Sequence, residues 1–288
     1  MLYLFLVSCL WAFSFPLIKL YLVGIDSSLV AMLRLGISLL CFLPLISFSL
    51  NHKDKLKLIA LGMIQYGLMY ALYIQSYQYL KSYEVALFTI TTPLWVILCG
   101  QLMHKRFSLQ SWVIAGLACI GALVLVFNAQ NTYSLSQGFI LVQVANICFA
   151  LGQVYYKYWW QRSSKKNPLK QSQIFAYLFF GATLINFMIL VLNQKLNQIS
   201  SISNTQWLIL LYLGSIASGL GFYLWNYGAT LVKHATLASF NNLKIPLTIL
   251  TAIVVFQEQG NLIKLLLGTV CIIIAISFAE TIKTKDFL

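Results

Sequence analysis

The chain has 288 residues, of which 60% are hydrophobic, 15% aromatic and only 9% charged. A soluble domain carries about 25% charged residues, so the composition excludes a water-exposed globular domain and predicts an all-α integral membrane protein. The formal net charge of +13 does not indicate nucleic-acid binding, because the basic residues lie in short segments between apolar runs, where positive charge orients membrane proteins. We therefore expect membrane lipid, and no nucleic acid, around this chain.

About ten apolar runs follow one another along the sequence, each close to the roughly 20 residues that a membrane-spanning helix needs. Short polar or basic segments separate them, and the longest, Gln161–Gln171, lies near the middle of the chain. The first run has no basic segment before it and no cleavage site, which predicts a retained span. The predicted spans are Leu2–Val23, Ser28–Ser49, Leu58–Leu80, Val85–Met103, Gln110–Phe127, Gly138–Trp159, Gln173–Leu192, Gln206–Leu231, Thr236–Phe256 and Ile263–Phe278.

The lysines and arginines predict the orientation of these spans. If the N-terminus is cytoplasmic, most of them fall on the cytoplasmic side, and the opposite side carries only Lys81, Lys195 and Lys264. Positively charged segments remain in the cytoplasm. Both termini are therefore predicted to be cytoplasmic, in a bacterial inner membrane, which requires an even number of spans.

The two halves of the chain resemble each other. Lys81–Ala86 matches Lys233–Ala238, and Pro93 and Pro246 follow these segments at nearly the same separation. Five spans per half is an odd number, so the second copy must be inserted upside down, as in secondary transporters with inverted repeats. We therefore predict about ten transmembrane helices arranged as two inverted five-helix repeats, with the solute between them. The predicted repeats are residues 1–130 and 131–288.

These segments resemble the EamA-type family of the drug/metabolite transporter superfamily, over nearly the whole chain. Leu211–Ala229 is similar to the family's eighth span, and Ala238–Pro246, followed by Glu258, is similar to its ninth span and closing acidic turn. The chain departs from the family here, because the family often has glutamate directly before the ninth-span proline, whereas this chain has Lys244-Ile245-Pro246. The resemblance implies a secondary transporter, similar to exporters of amino acids and related metabolites.

Tyrosines recur in the third span at intervals of four, three and four residues, which places their rings on one helix face. The repeat offset brings Tyr70 and Tyr73 onto Phe222 and Trp225 of the eighth span. These matching stripes predict an aromatic cage for a solute, since aromatic faces stack on planar groups and attract cations. The alternative is helix packing or anchoring at the membrane interface. The four tyrosines are Tyr66, Tyr70, Tyr73 and Tyr77.

Lys244 lies in the middle of a predicted span, where a lysine costs ~2.5–3.5 kcal/mol. Pro246 follows it, and a helix broken there would free carbonyl groups to bond the ammonium. We interpret Lys244 as the counter-charge for a solute carboxylate; the alternative is a lysine that pairs with these carbonyls and never meets the solute. Lys19, Arg34 and Lys157 lie nearer span ends, where snorkelling to water explains them.

Amides at mid-span positions either line the cavity or join helices by hydrogen bonds. They are Asn146, Gln153, Asn226, Asn241 and Asn242. The complete set of predicted substrate-binding residues is Trp11, Tyr70, Tyr73, Tyr77, Asn146, Phe222, Trp225, Asn226, Asn241 and Lys244.

The predicted function is a secondary transporter, acting as exporter or exchanger by alternating access on a small polar metabolite, with amino acids or related carboxylate-bearing solutes favoured. None of the six carboxylates lies at mid-span, which favours facilitated diffusion or exchange over carboxylate-gated proton antiport. An amphipathic drug or amine exporter is the alternative, favoured by the tyrosines and disfavoured by Lys244.

An intramembrane enzyme is the remote alternative, because its chemistry would need clustered His, Asp or Glu within the spans. His52, His104 and His234 fall in predicted loops. The absence of a P-loop sequence excludes a nucleotide-binding pump subunit. We expect no enzyme activity, no cofactor and no metal, and a monomer or weak dimer whose partner is the solute.

Overall fold

The computed structural model describes residues 1–22, 24–80, 85, 88–105, 107–126, 135–164, 169–256 and 262–281. Within these ranges the regular structure is entirely helical, as the sequence predicts. The principal helices are α1 (Leu2–Tyr21), α2 (Ser27–Phe42), α3 (His52–Ser76), α4 (Thr92–His104), α5 (Leu109–Val126), α6 (Leu135–Ser163), α7 (Phe175–Leu192), α8 (Asn204–Leu231), α9 (His234–Phe256) and α10 (Leu262–Thr281). Short 3-10 turns lie at Leu43–Leu45, Gln171–Gln173 and Leu196–Ser201.

Five of these helices, α2, α3, α6, α7 and α8, are long and apolar enough to cross a membrane. Such length and apolarity confirm the membrane class that the composition predicts. Several predicted features lie outside the described residues: the repeat segment 81–84, the acidic residue Glu258 and part of the central basic loop, residues 165–168.

Several helix boundaries differ from the predicted spans, and α4, for example, begins at Thr92 instead of Val85. Helix α2 ends at Phe42 instead of Ser49, because Pro44 follows and proline cannot continue the backbone hydrogen-bond ladder. Helix α3 begins at His52, six residues before the predicted Leu58. Asn51 caps this helix, since its Oδ1 accepts a hydrogen bond of 2.8 Å from the Asp54 backbone N–H. The polar segment before the third span is therefore helical.

Helices α3 and α8 each contain a π-helical segment, Met63–Leu68 and Leu213–Leu220. A π turn interrupts the regular α-helical bonding and is frequent at functional sites. In α3 the Gly67 carbonyl accepts a hydrogen bond of 3.1 Å from Asn186 of α7. In α8 the Gly214 carbonyl accepts one of 2.7 Å from Ser38 of α2. Two helix pairs, α3–α7 and α2–α8, are thus joined by the same kind of bond.

Glycines allow α3 and α7 to touch backbone to backbone. A Cβ atom on Gly62 would lie 1.9 Å from the Leu178 carbonyl oxygen, and one on Gly181 would lie 2.0 Å from the Ile59 carbonyl oxygen. Membrane helices pack closely where small residues let their backbones approach. A larger residue at either position would push the two helices apart.

Most contacts between helices of the two halves have a counterpart in which the first-half and second-half helices exchange roles. Helix α2 packs on α7, and α5 packs on α10. The contact between α1 and α9 corresponds to the contact between α6 and α4. Likewise α3 packs on α6, and α8 packs on α1. This pattern leaves a space enclosed by α1, α3, α6, α8 and α9, with the start of α4 at its side.

Candidate substrate cavity

A cavity that is partly open to solvent lies among these helices. Six of the ten predicted substrate-binding residues line it: Trp11, Tyr70, Tyr73, Asn146, Phe222 and Lys244. Residues from both halves of the chain therefore meet at one cavity.

The other four predicted residues lie outside this lining. The Tyr77 hydroxyl lies 3.1 Å from the Tyr73 hydroxyl, and Trp225 Nε1 donates to Gln153 Oε1 at 2.8 Å. Asn226 is held in α8 by hydrogen bonds with side chains of α3, and Asn241 Nδ2 donates to a carbonyl of its own helix. Tyr77 and Trp225 contact the lining residues Tyr73 and Trp11. A direct contact of any of the four side chains with the solute stays a prediction.

Seven further lining residues were absent from the predicted set. They are Ser14, Ile18, Met69, Thr89, Thr92, Ala145 and Phe149. A signal for Phe149 exists in the sequence, because Phe149-Ala150 matches Trp11-Ala12 in the internal repeat. Helical spacing gives a second signal, since Ser14 and Ile18 follow Trp11 on the same face of α1.

Aromatic rings form the wall of the cavity. The ring centroid of Trp11 lies 5.5 Å from that of Phe222 and 5.9 Å from that of Phe149, both in edge-on geometry. Phe222 also lies 5.4 Å from Tyr70 and stacks on Tyr66 at 4.3 Å. The indole N–H of Trp11 donates to the Ala217 carbonyl in the π segment of α8, at 2.9 Å. Aromatic rings and one hydrogen bond thus link α1, α3, α6 and α8 around the cavity.

Lys244 is the charged side chain among the described residues that line the cavity. Its Nζ lies 5.8 Å from the ring centroid of Trp11 and 6.0 Å from that of Phe149, within range of a cation–π attraction. The predicted break after it is wrong, because α9 continues through Pro246 to Phe256. Neighbouring groups in a membrane bundle can satisfy the carbonyl that a proline frees.

The snorkelling interpretation of Arg34 and Lys157 is also wrong. Arg34 is 0% exposed; its Nη2 donates to the Tyr70 hydroxyl at 2.8 Å and to Ser218 Oγ at 3.1 Å. Lys157 is 1% exposed and donates to the Val232 carbonyl. Polar oxygens from distant helices replace water around both cations, which is how intramembrane charges are usually held.

The histidines belong to helices, contrary to the loop prediction. His52 begins α3, His104 ends α4, and His234 begins α9 and is buried. The rings of His104 and His234 lie 5.3 Å apart. In the described ranges, no group of three or more His, Cys, Asp or Glu residues is placed to hold a metal ion.

A helical membrane bundle that encloses an aromatic cavity with one cation defines a carrier for small solutes. The chain belongs to the EamA-like transporter family, whose model matches residues 1–127 and 136–280. This family is part of the drug/metabolite transporter superfamily. The resemblance read from the sequence is thus confirmed, and the protein is a small-molecule transporter and not an enzyme.

Two similar proteins indicate the class of solute to consider. The biotin transporter of Escherichia coli strain K12 is 36% identical over 279 residues, which cover 94% of this chain and 89% of that protein. The probable biotin transporter of Pseudomonas aeruginosa is 36% identical over 275 residues, 94% of each chain. These relatives do not support the amino-acid specificity that the sequence analysis favoured.

The fold has a counterpart of known structure. A protein with a crystal structure aligns over 96% of this chain and 95% of its own length, with a TM-score of 0.77. Its sequence identity is 15%, so this similarity concerns the fold alone.

Proposed function

We propose that this protein carries a biotin-like solute, a flat uncharged ring with a carboxylate chain, across a bacterial inner membrane by alternating access. The observation that carries the proposal is the position of Lys244 in an aromatic cavity. Biotin joins a cyclic urea to a thioether ring and ends in a carboxylate. Its rings match the wall formed by Trp11, Phe149 and Phe222, and its carboxylate matches Lys244.

The energetics favour an anionic solute over a cationic one. A lysine within a membrane costs about 2.5–3.5 kcal/mol, and a solute carboxylate beside Lys244 offsets this cost by a charge-assisted hydrogen bond. An amine would instead meet a like charge, and none of the described lining residues carries a carboxylate. The amine exporter suggested by the tyrosines is therefore the weaker candidate.

We also propose that the ten helices span the membrane as two inverted five-helix repeats, residues 1–130 and 131–288, with both termini in the cytoplasm. The exchanged helix contacts and the paired π segments in α3 and α8 support this arrangement. The family match in two successive segments supports it independently. The distribution of lysines and arginines supports the orientation.

Uptake of labelled biotin tests the proposal, in cells that lack biotin uptake of their own and in proteoliposomes. Lys244→Met removes the charge and keeps most of the side-chain length. Its apparent affinity for biotin should fall roughly ten- to hundredfold, since a hydrogen bond to a charged group contributes about 1.5–3 kcal/mol. Transport of neutral biotin methyl ester should change much less. The exposed lysine variant Lys195→Met is the matched control and should transport biotin normally.

Two results would contradict the proposal. Wild-type protein that carries amino acids or amines but no biotin would exclude the solute class. An equal loss of biotin and of its methyl ester in Lys244→Met would mean that the lysine stabilises the fold and does not bind the carboxylate.

A further inference from the structure

The start of α4 exposes backbone carbonyls beside the cavity. A turn at Ile90 and Thr91 separates the helical residue Phe88 from α4, and Pro93 near the start of α4 has no backbone N–H to donate. Side chains satisfy the carbonyls left behind. The Phe88 carbonyl accepts hydrogen bonds from Gln143 Nε2 at 3.0 Å, from Asn146 Nδ2 at 2.9 Å and from Thr91 Oγ1 at 3.1 Å.

These bonds fix which way the amide of Asn146 points. A backbone carbonyl can only accept, so the nitrogen of the amide must face Phe88. The same Nδ2 donates to Thr91 Oγ1 at 3.3 Å. Both amide hydrogens therefore have partners, and Oδ1 points away from the carbonyl. A flipped amide would place its oxygen against the Phe88 carbonyl oxygen and lose that bond.

The oxygen of this amide is an acceptor that no described residue uses. Asn146 is 5% exposed and lines the cavity, yet Oδ1 accepts no hydrogen bond within the described part of the chain. Gln143, one turn earlier in α6, is different. Its Oε1 accepts from Thr91 Oγ1 at 2.8 Å and from Trp95 Nε1 at 3.1 Å, and it does not line the cavity.

We propose that Asn146 Oδ1 accepts a hydrogen bond from a neutral N–H group of the solute and thereby selects a cyclic urea or amide. This inference rests on the proposed biotin-like solute. Once a solute fills the cavity and displaces water from Oδ1, leaving this acceptor without a donor is costly, so a solute N–H group is favoured there. An ammonium is disfavoured, because Lys244 already supplies a positive charge and like charges in one cavity repel. The two polar ends of biotin, the ureido N–H and the carboxylate, thus have separate partners.

The test compares two variants and three solutes. Asn146→Leu removes the acceptor. Gln143→Leu is the matched control, because Gln143 also donates to the Phe88 carbonyl but does not line the cavity. The solutes are biotin, desthiobiotin, which keeps the ureido ring, and a biotin analogue in which methylene groups replace both ureido N–H groups. Half-saturation concentrations are measured for uptake into proteoliposomes that contain equal amounts of each protein.

The wild-type protein should prefer biotin and desthiobiotin over the analogue by about tenfold, the effect of leaving one buried acceptor unsatisfied. Asn146→Leu should abolish this preference, because it should raise the half-saturation concentration for biotin and desthiobiotin about tenfold more than that for the analogue. Gln143→Leu should affect all three solutes equally. If Asn146→Leu does not reach the membrane, Asn146→Ala provides the same comparison with a smaller side chain.

Three outcomes overturn the inference. Equal affinity of the wild type for biotin and the analogue means that no N–H group is recognised. Equal losses for all three solutes in Asn146→Leu mean that Asn146 only stabilises the start of α4. Both results leave biotin transport intact and so spare the proposed function, whereas a wild type that carries no biotin overturns both.

Discussion

Tyr70 lies at the cavity wall and also holds a buried cation, so its replacement should affect stability as well as transport. Arg34 is fully buried in α2, and the Tyr70 hydroxyl accepts a hydrogen bond of 2.8 Å from its Nη2. The guanidinium carbon also lies 4.5 Å from the centroid of the Tyr70 ring. Tyr70→Phe keeps the ring and the cation–π contact and removes only the hydroxyl.

The loss of stability expected for Tyr70→Phe follows from the positive charge of Arg34, which donates the hydrogen bond. Hydrogen bonds to charged groups contribute about 1.5–3 kcal/mol, whereas neutral pairs contribute about 0.5–1.5 kcal/mol. Tyr70→Phe should therefore lower the free energy of unfolding by about 1.5–3 kcal/mol. Tyr73→Phe is the matched control, because the Tyr73 hydroxyl lies 3.1 Å from the neutral Tyr77 hydroxyl, and it should cost the smaller amount.

Reversible unfolding in mixed detergent micelles, followed by tryptophan fluorescence, measures these free energies. Ser218 supplies the second acceptor for Arg34, so Ser218→Ala should cost as much as Tyr70→Phe. The double variant should lose more than the sum of the two, since it leaves the guanidinium without either acceptor. Two results would refute the argument that Arg34 depends on Tyr70. One is a double variant whose loss of unfolding free energy equals the sum of the losses in Tyr70→Phe and Ser218→Ala. The other is an equal, small loss in Tyr70→Phe and Tyr73→Phe.

Three further predictions concern the bundle. Gly62→Ala should prevent α3 from packing on α7 and give little monodisperse protein on gel filtration, whereas Gly116→Ala, where a Cβ meets open space, should behave as wild type. Asn186→Leu and Ser38→Ala should each lower the unfolding free energy by about 0.5–1.5 kcal/mol, because each removes a hydrogen bond to a π-segment carbonyl. A loss in only one of the two variants would argue against equivalent roles for the two bonds. Single cysteines placed after residue 55 and at the C-terminus should both resist membrane-impermeant thiol reagents in intact cells, and labelling of the C-terminus alone would exclude an even number of spans.

The sequence predicts best what local spacing determines. Tyr70 and Tyr73 lie three residues apart on one face of α3, and both line the cavity. Phe222 and Lys244 were located through the internal repeat and through the cost of a charge within a span. For the two tyrosines, one helix and its period were enough to indicate the side that faces the cavity.

The sequence predicts poorly what depends on partners in distant helices. Ser218, which binds Arg34, is 184 residues away along the chain, and Val232, which binds Lys157, is 75 residues away. Because Arg34 and Lys157 lie near the ends of predicted spans, the sequence predicts water as the partner of both cations. The π segments were missed for a similar reason, because the side chains that bond their carbonyls, Asn186 and Ser38, come from other helices.

Partners also decide which cation can meet a solute. The sequence presents Arg34, Lys157 and Lys244 as three basic residues within apolar runs. The first is bound by two hydroxyls and the second by a backbone carbonyl, and both are fully buried away from the cavity. Lys244 instead reaches the cavity between two aromatic rings. A carboxylate that enters can therefore approach Lys244 without breaking the bonds of the other two, which supports Lys244 as the proposed partner of the solute carboxylate.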